Sequence, residues 1–587
     1  MATHSRRGRR VASRRSKPNL VLRRKVLTAA LSVALVTLST GVFYRQVIET
    51  DFLQEQGALR HLRAAEIAAR RGMITDRNGE PLAVSTPVET VSADPSRLSA
   101  HLDALPALAS ALDMDAAKLR EKVLANWERR FIYLKRRVSF SEADAAKAVV
   151  AERKLQGIGF EKEYRRYYPG AEFFAHVIGF TNIEDRGQEG IELAYDEVLK
   201  AEPGLHRVIR DGRGRIVQEV EQIRPPRSGT DLTLSLDRRL QFLAYRELEA
   251  AVKEHRAKAG TAVVLDVATG EVLAMVNQPG FNPNMDRTGG IERRRNRALT
   301  DVMEPGSTMK PLVVAAALQK RLISPRTPVA TGPGFYKVGR NVVRDVHNYG
   351  TLDVTGVITK SSNVGAVKIA QRMAYADLWD IYDGVGFGRP TGVGFPGESS
   401  GLLRHYSSWR PFEHATMAFG YGLSVTALQL AQAYSVLAAD GVKRPVSLFK
   451  RDPESLASLA GTSVLSPATA RKVRAMMETV VSDEGTAVKA KIAGYRVGGK
   501  TGTAKKAGKS GYRGRRYQSV FAGFAPAGQP RLVMVVMIDE PGGKSYYGGT
   551  VAAPVFQKVM QGALRLFNVP PDDPTPSMLL AHREPAQ

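Results

Sequence analysis

The chain has 587 residues, with 85 Lys and Arg against 58 Asp and Glu, and its formal charge at pH 7 is +27. Hydrophobic residues make up 43% of it, which excludes a wholly disordered chain. The length predicts about two to four folded domains. Cysteine is absent, so disulfides, zinc–thiolate sites, iron–sulfur clusters and thiol nucleophiles are excluded. We expect neither a metal site nor a cofactor.

The N-terminal segment is basic and then apolar. Ten Lys or Arg and no acidic residue fall within residues 1–25, and Val26–Tyr44 carries no charge. A helix of that length spans about 28 Å, close to the thickness of a bilayer's hydrocarbon core. By the positive-inside rule, we predict a cytoplasmic tail over 1–25, a transmembrane helix over 26–45 and an exterior remainder. The alternatives are a cleaved signal peptide and a nucleic-acid-binding arm, but topology explains the basic residues more simply, so no nucleic-acid partner is expected.

The exterior part divides at Ile223–Gly229, a segment rich in proline and glycine that predicts a linker. A first domain is predicted over 46–222. It would begin with a helical stalk from Gln46 to about Arg70. A hairpin at Ile74–Val84 follows, with Asn78-Gly79 in its turn.

The part after the linker predicts a second domain over 230–567. The predicted elements are a strand at Asp231–Leu236, a helix at Asp237–Glu254, a hairpin of Thr261–Asp266 and Glu271–Val276, and strands at Gly494–Ala504, Tyr517–Phe524 and Leu532–Ile538. Between these groups the chain is mainly helical. Strands at both ends of a helical middle predict an α+β fold, with one sheet and helices on its faces. The proline-rich segment 568–587 is predicted to be disordered.

Ser307 lies where an apolar helix is predicted to start. Pro305-Gly306 breaks the chain before it, and Pro311 is tolerated only in the first turn of a helix. Lys310, three residues on, then lies on the same face and reaches the Ser307 hydroxyl. A serine beside a neutral lysine is an activated nucleophile. Because lysine normally titrates near 10.4, this hypothesis requires burial and a second cation near Lys310.

Taken alone, the S-x-x-K pattern is weak. Ser447–Lys450 also matches it without a helix start, and for Ser307 in isolation a structural helix cap would be the better explanation. Two further motifs favour the catalytic interpretation. Ser361-Ser362-Asn363 precedes another helical stretch, and Lys500-Thr501-Gly502-Thr503 lies on a predicted strand, where Lys500 supplies the second cation and Gly502 lets a substrate backbone approach. S-x-x-K, S-x-N and K-T-G in this order are typical of class A β-lactamases and penicillin-binding proteins.

From about Arg70 to Leu566 the chain resembles class B penicillin-binding proteins, specifically the septal peptidoglycan D,D-transpeptidases of Gram-negative bacteria (FtsI type). The stretches that carry the resemblance include RRGMITDRNGEPLAVS from Arg70, RRYYPGAEFFAHVIGFTN from Arg165, NRALTDVMEPGSTMKP from Asn296, KSSNVGAVKIA from Lys360, FGYGLSVTALQLA from Phe419 and KTGTAKK from Lys500. The resemblance implies a non-catalytic pedestal over 46–222. It also implies a transpeptidase domain like the serine β-lactamases over 230–567, with an antiparallel sheet, flanking helices and an all-helical part.

The resemblance also implies roles for the motif residues. Ser307 would attack the penultimate D-alanine of a stem pentapeptide, with Lys310 as general base. Ser361 would relay a proton to the leaving D-alanine, and Asn363 would hold the peptide amide. Lys500, Thr501, Gly502 and Thr503 would bind the substrate, and the backbone N–H groups of Ser307 and Thr503 would form an oxyanion hole. Tyr546 would line the site, with packing as the alternative.

The implied protein is anchored in the inner membrane, with its catalytic domain in the periplasm. Its expected partners are peptidoglycan stem peptides, β-lactams as covalent inhibitors, a membrane glycosyltransferase that polymerises lipid II, and other division proteins. Two other functions remain open: a non-catalytic β-lactam sensor or divisome scaffold, and a penicillin-sensitive hydrolase. In the pedestal, Arg71, Glu189 and Glu192 are interpreted as structural ion pairs, and 507–516 as a solvated hairpin tip.

Overall fold

The computed structural model describes residues 20–48, 62–210, 216–285, 290–506, 512 and 514–573, with only the backbone at 62–64, 210 and 216–218. The predictions for residues 1–19 and 574–587 lie outside these ranges.

The N-terminal apolar helix, α1, covers Leu20–Phe43 and continues as one π turn at Tyr44–Ile48. Within the described residues, this is the one helix that is long and apolar enough to cross a membrane, judged by length and composition. It contains the predicted span 26–45 and begins six residues earlier, so its first turns include Arg23, Arg24 and Lys25.

The part of the chain before residue 235 forms two main sheets and several short helices. Its strands are β1 Leu62–Ile67, β2 Ile74–Thr75, β3 Pro81–Ala93, β4 Ile132–Val138, β5 Ile158–Tyr167, β6 Phe180–Thr181, β7 Gly187–Glu189, β8 Gly204–Arg210, β9 Ile216–Arg224 and β10 Leu232–Thr233. Its helices are α2 Pro95–Leu98, α3 Leu105–Ala111, α4 Ala116–Leu124, α5 Phe140–Glu152, α6 Ala175–Ile178, α7 Gly190–Ala194 and α8 Asp196–Leu199. One sheet has the order β1-β8-β9, and the other has the order β10-β2-β3-β4, with β5 also paired to β3.

The predicted helical stalk is wrong from Leu62 onwards. Leu62–Ile67 is a strand that pairs antiparallel with β8, from Leu62 opposite Ile209 to Ile67 opposite Gly204. The partner strand lies about 140 residues away, so local sequence does not reveal the pairing. Residues 49–61 of the predicted stalk lie outside the described ranges.

The hairpin predicted at Ile74–Val84 is confirmed. β2 and β3 pair antiparallel, and Gly79 in the turn has a φ of +87°. The Asp76 carboxylate closes the turn by accepting hydrogen bonds from the backbone N–H groups of Asn78 and Glu80. The predicted pedestal ion pairs also form: Arg71 Nε lies 2.8 Å from Glu192, with both side chains fully buried, and Glu189 lies 3.7 Å from Arg294.

The strand predicted at Asp231–Leu236 is shorter than expected. Only Leu232–Thr233 is a strand, and it pairs in parallel with β2 of the preceding part of the chain. The last strand before the second part of the chain, β10, is therefore a member of the sheet of the first part. The next helix begins at Arg238, as predicted, with the Asp237 carboxylate capping its N-terminus.

The rest of the chain contains α9 to α21 and β11 to β21. The helices are α9 Arg238–Glu254, α10 Ile291–Arg294, α11 Arg297–Thr300, α12 Lys310–Gln319, α13 Val354–Thr359, α14 Asn363–Ala370, α15 Tyr375–Gly384, α16 Pro411–Met417, α17 Ala427–Ala438, α18 Pro453–Ala457, α19 Pro467–Glu478, α20 Gly548–Val551 and α21 Ala553–Leu566. The strands are β11 Ala259–Asp266, β12 Val272–Gln278, β13 Pro328–Ala330, β14 Phe335–Val338, β15 Asn341–Arg344, β16 Thr351–Asp353, β17 Val442–Lys443, β18 Thr462–Ser463, β19 Gly498–Lys505, β20 Tyr517–Ala525 and β21 Leu532–Asp539.

The main sheet has the order β12-β11-β21-β20-β19, and every neighbouring pair is antiparallel. All residues of β11, β12 and β21 are buried, and most of them are apolar, as expected for strands that are covered on both faces. Helices α9 and α21 pack together against the sheet, and α17 packs against β11 and β21. The predicted α+β class is confirmed, and the sheet ends at β19, which forms one wall of the candidate site.

Residues 568–573 do not fit the predicted disordered tail. The Val569 carbonyl accepts a hydrogen bond from the Tyr495 hydroxyl at 2.6 Å, and the Asp572 carboxylate accepts one from the Arg496 backbone N–H at 2.8 Å. These contacts extend the folded body to Asp573, the last described residue.

Candidate active site

Ser307 lies in a single 3₁₀ turn, Gly306–Met309, immediately before α12. The turn is held by Gly420, whose carbonyl accepts a hydrogen bond from the Gly306 N–H. A Cβ on Gly420 would meet the Gly306 carbonyl oxygen at 2.1 Å, so only glycine permits this approach. Ser307 is half-buried, and Lys310 at the start of α12 is fully buried. The predicted position of both residues is therefore confirmed.

The Lys310 amine is surrounded by oxygen atoms. Its Nζ lies 2.9 Å from Ser307 Oγ, 2.6 Å from the Ser361 carbonyl oxygen, 3.1 Å from Ser361 Oγ and 2.8 Å from Asn363 Oδ1. The Ser361 carbonyl and Asn363 Oδ1 can only accept hydrogen bonds, so they use two N–H groups. A neutral amine then has its lone pair left for the Ser307 hydroxyl proton. The geometry fits a base aimed at Ser307.

The charge environment favours that neutral amine. Burial lowers the pKa of Lys310 well below its ordinary value, and the neighbouring Lys500 lowers it further, whereas Asp345 opposes the shift. Lys500 is also fully buried, which lowers its pKa to about 7. The second cation that the sequence required near Lys310 is therefore present.

Ser361 connects the two lysines. It precedes α14 and has a φ of +60°, in the left-handed region that few non-glycine residues adopt. Its hydroxyl lies 3.1 Å from Lys310 Nζ and 2.9 Å from Lys500 Nζ. This hydroxyl can therefore move a proton between two amines. Backbone strain at such a residue is often found at functional sites.

Asp345 is a site residue that the sequence analysis missed. Its carboxylate accepts hydrogen bonds from Ser362 Oγ at 2.5 Å, the Asn363 N–H at 2.5 Å and the Val364 N–H at 3.0 Å. It thereby fixes the loop that presents Ser361 and Asn363. Asn363 also donates from Nδ2 to the Arg344 carbonyl at 3.0 Å, which orients Oδ1 towards Lys310. An isolated Asp eighteen positions before the helix it caps gives no sequence signal.

The K-T-G segment forms β19 at the edge of the main sheet. The Lys505 N–H points away from the neighbouring strand β20 and donates a hydrogen bond to the Tyr421 hydroxyl at 3.1 Å. Because alternate amides of an antiparallel strand face the same side, the Thr503 N–H also points away from β20, towards the Ser307 turn. This orientation fits the predicted oxyanion donor. The Thr503 hydroxyl accepts from the Gly548 N–H, and the Thr501 hydroxyl lies 2.8 Å from Thr486 Oγ1.

The structure gives a different reason for a glycine at position 502 from the one predicted. A Cβ there would meet Thr308 Cγ2 at 2.9 Å and the Pro305 carbonyl oxygen at 3.0 Å. The missing side chain thus lets β19 approach the turn that carries Ser307. Close approach of a substrate backbone at Gly502 remains a prediction.

Tyr546 lies in a stack of three tyrosine rings. Its ring centroid is 4.1 Å from that of Tyr517, nearly parallel, and 4.7 Å from that of Tyr547. Its backbone carbonyl accepts a hydrogen bond from Ser519 Oγ. These contacts are those of the packing alternative, and a role as a wall of the site stays a prediction.

The second S-x-x-K match and the predicted hairpin tip were two further expectations from the sequence. In the second S-x-x-K match, Ser447 Oγ donates to the Phe449 carbonyl and Lys450 Nζ donates to the Arg77 carbonyl, so this copy forms no serine–lysine pair. The predicted hairpin tip 507–516 lies largely outside the described residues. Of that loop, Tyr512 donates its hydroxyl to the Glu304 carboxylate at 2.7 Å, a contact that the sequence analysis missed.

No group of three His, Asp or Glu side chains within the described ranges could hold a metal ion. The reactive groups of the site are a serine hydroxyl, a buried amine and a second hydroxyl. Together they define a serine acyl-transfer site.

Comparisons with known proteins agree with this class. Residues 260–561 match the penicillin-binding protein transpeptidase domain, and residues 66–234 match the penicillin-binding protein dimerisation domain. The chain is 42% identical over 562 residues to the probable peptidoglycan D,D-transpeptidase PbpC of Pseudomonas aeruginosa, covering 96% of this chain and 98% of that protein. It is 43% identical over 552 residues to the peptidoglycan D,D-transpeptidase FtsI of Escherichia coli strain K12, covering 93% and 92%.

A solved structure of the transpeptidase domain of Burkholderia pseudomallei penicillin-binding protein 3 is 46% identical, with a TM-score of 0.54, and covers 58% of this chain and 98% of that chain. The chain therefore belongs to the class B penicillin-binding proteins, with a dimerisation domain and a transpeptidase domain. The resemblance seen in its motifs is confirmed.

Proposed function

We propose that this protein is a septal peptidoglycan D,D-transpeptidase that crosslinks stem peptides through a Ser307 acyl-enzyme. The observation that carries the proposal is the environment of Lys310. This side chain is fully buried, its Nζ lies 2.9 Å from Ser307 Oγ, and two of the three other oxygens near Nζ, the Ser361 carbonyl and Asn363 Oδ1, can only accept hydrogen bonds. Such an amine can take a proton from the serine at neutral pH. The names of the relatives supply the substrate class.

Acylation begins when Ser307 Oγ attacks the carbonyl carbon of the penultimate D-alanine. The new C–O bond forms as the hydroxyl proton passes to Lys310 Nζ. The negative charge develops on the carbonyl oxygen, where the backbone N–H groups of Ser307 and Thr503 stabilise it, at about 3–4 kcal/mol for each such donor. Lys500 and the hydroxyls of Thr501 and Thr503 bind the terminal carboxylate.

The tetrahedral intermediate collapses when the C–N bond to the terminal D-alanine breaks. The departing nitrogen needs a proton, and Ser361 Oγ, between the amines of Lys310 and Lys500, can relay it. The amine of a neighbouring stem peptide then attacks the ester carbonyl. It forms a new amide, releases Ser307 and returns one proton to the site. A β-lactam follows the first half of this path and remains attached to Ser307.

The N-terminal helix supports a membrane anchor for this activity. With ten basic residues before Val26, the cytoplasmic side is the N-terminal side, and the catalytic domain is periplasmic. A membrane glycosyltransferase that polymerises lipid II and other division proteins complete the proposed partners, together with β-lactams as covalent inhibitors.

The test is turnover of a stem pentapeptide donor by the full chain, with and without an acceptor amine. Crosslinked product that depends on the acceptor supports the proposal, free tetrapeptide alone indicates a hydrolase, and no turnover despite β-lactam binding indicates a sensor or scaffold. Intact mass after β-lactam exposure locates the nucleophile. Ser307→Ala should lose the adduct, whereas the matched control Ser447→Ala, in the second S-x-x-K match, should keep it.

A further inference from the structure

A polar cavity of about 380 Å³ lies where the dimerisation and transpeptidase regions meet, and we name it the arginine cavity. Arg137, Arg165, Arg166 and Tyr168 line it from the first region, and the loop that contains Asn284 lines it from the second. The Asn284 side chain fixes this loop, since it accepts from the Tyr168 N–H at 2.9 Å and donates to the Tyr168 carbonyl at 2.8 Å. Among the described residues that line the cavity, three carry guanidinium groups and none carries a carboxylate.

Two of these guanidinium groups have buried N–H groups without partners. Arg166, with a side chain only 1% exposed, donates from Nε to Glu192 and from Nη1 to Ser85 Oγ, but its Nη2 has no hydrogen-bond partner in the described structure. Arg137 donates from Nη2 to the Ile183 carbonyl, and its buried Nε likewise has no partner there. Each unpaired buried donor costs free energy, and an acceptor bound within its reach would remove that cost.

Arg165 adds a third cation. It is exposed at the cavity, and no hydrogen bond or ion pair joins its guanidinium to any residue that the structure describes. Burial lowers the pKa of Arg137, and Arg136 and Arg165 lower it further, whereas Asp185 and Glu163 oppose the shift. The charged form of Arg137 is thus incompletely compensated.

Three of the nearby carboxylates are engaged by other arginines. Glu192 pairs with Arg71 at 2.8 Å and with Arg166 at 2.7 Å. Glu163 and Glu184 both pair with Arg136. Asp185 opposes the pKa shift of Arg137 but does not line the cavity. Asp185 and Glu163 compensate part of the lining charge, and a bound anion would compensate more of it.

We propose that the arginine cavity binds a phosphate or diphosphate group that bridges the two regions of the protein. The guanidinium forks of arginine match the oxygens of such groups bidentately. Guanidinium groups of three separate arginines line the cavity, and a phosphate or diphosphate offers them more acceptor oxygens than the two of a carboxylate. The volume, equivalent to about a dozen water molecules at ~30 Å³ each, leaves room for a diphosphate. The group could be a free anion or the headgroup of a lipid-linked diphosphate.

Calorimetric titration of the full chain in detergent with inorganic diphosphate, at constant ionic strength, tests the proposal. We expect saturable binding with one site per chain. Arg165→Ala, at an exposed position without partners, should fold normally and weaken binding at least about tenfold, as expected for a lost charge-assisted contact. Arg165→Lys should retain part of the affinity. The matched control Arg129→Ala, at an exposed arginine of the same region, should leave affinity unchanged, and neither variant should alter acylation of Ser307.

Competition distinguishes the source of the anion. If a long-chain isoprenoid diphosphate in micelles displaces inorganic diphosphate, the site accepts a lipid headgroup; if it does not, the ligand is a free anion, and both results support the site. Absence of saturable binding, equal affinities of Arg165→Ala and Arg129→Ala, or tighter binding of an oligo-aspartate peptide than of diphosphate would overturn the proposal.

Discussion

The amines of Lys310 and Lys500 contact the same hydroxyl, that of Ser361, at 3.1 and 2.9 Å. Two cations so close to one another disfavour double protonation, and burial of both lysines strengthens the effect. One amine can therefore act as a base while the other keeps a proton for the substrate carboxylate.

This arrangement predicts a bell-shaped pH dependence for acylation by a β-lactam. The rate should rise with pH as Lys310 loses its proton, and fall again above about pH 7 as Lys500, with a pKa of about 7, loses its own. Because arginine stays charged, Lys500→Arg should remove the alkaline limb in whatever activity it retains. A fluorescent penicillin measures the rate, and Lys450→Arg is the control. An alkaline limb that survives in Lys500→Arg would contradict this assignment.

Asp345→Asn should shift the acid limb of the same profile to lower pH. The Asp345 carboxylate raises the pKa of Lys310, so its neutralisation should lower that pKa. An amide offers one acceptor oxygen for the three donors that the carboxylate now binds, and acylation at the optimum should slow about tenfold or more. Asp353→Asn, which removes the charge that caps α13, is the matched control. An acid limb that moves upward or stays in place would refute the electrostatic role.

Gly502→Ala should slow acylation about a hundredfold without unfolding the protein. The added Cβ would lie 2.9 Å from Thr308 Cγ2 and 3.0 Å from the Pro305 carbonyl oxygen, so β19 must move away from the Ser307 turn. A displacement of about 1 Å in a catalytic site costs rate on this scale. Gly514→Ala is the control, because its new Cβ would meet only the end of Arg516, at 3.9 Å. Wild-type acylation by Gly502→Ala would show that the close approach is not needed.

Glu192→Gln should destabilise the dimerisation region. Glu192 is fully buried between Arg71 and Arg166, and its neutralisation leaves two buried guanidinium groups without their shared counter-charge. The expected loss in the free energy of unfolding is about 3–5 kcal/mol. Glu197→Gln, which removes an exposed ion pair with Lys200, should change it by less than about 0.5 kcal/mol. Denaturant titration of both variants checks the prediction, and equal stabilities would contradict it.

Many helices and strands of the second part of the chain could be predicted from short segments of the sequence. The helix predicted at Asp237–Glu254 and the strands β11, β12, β20 and β21 lie within a few residues of their predicted positions. Their signals, helical periodicity and short strand-like segments, are contained in a few neighbouring residues. Leu62–Ile67 was mispredicted because its only distinguishing feature is a partner strand far along the chain.

Residue types and short spacings were enough to predict the chemistry of the site: a serine at the start of an apolar helix, a lysine one turn later, and two further motifs in a fixed order. Each of these properties depends only on the residue types and on their spacing along the chain. The three-dimensional fold was needed to show that Lys500 and Ser361 meet at Lys310. It also showed that Asp345 fixes the loop that presents Ser361 and Asn363, and that the missing side chain of Gly502 lets β19 approach the Ser307 turn. These contacts join segments that are far apart in the chain, 139 positions in the case of Ser361 and Lys500, and their geometry depends on packing that no local pattern encodes.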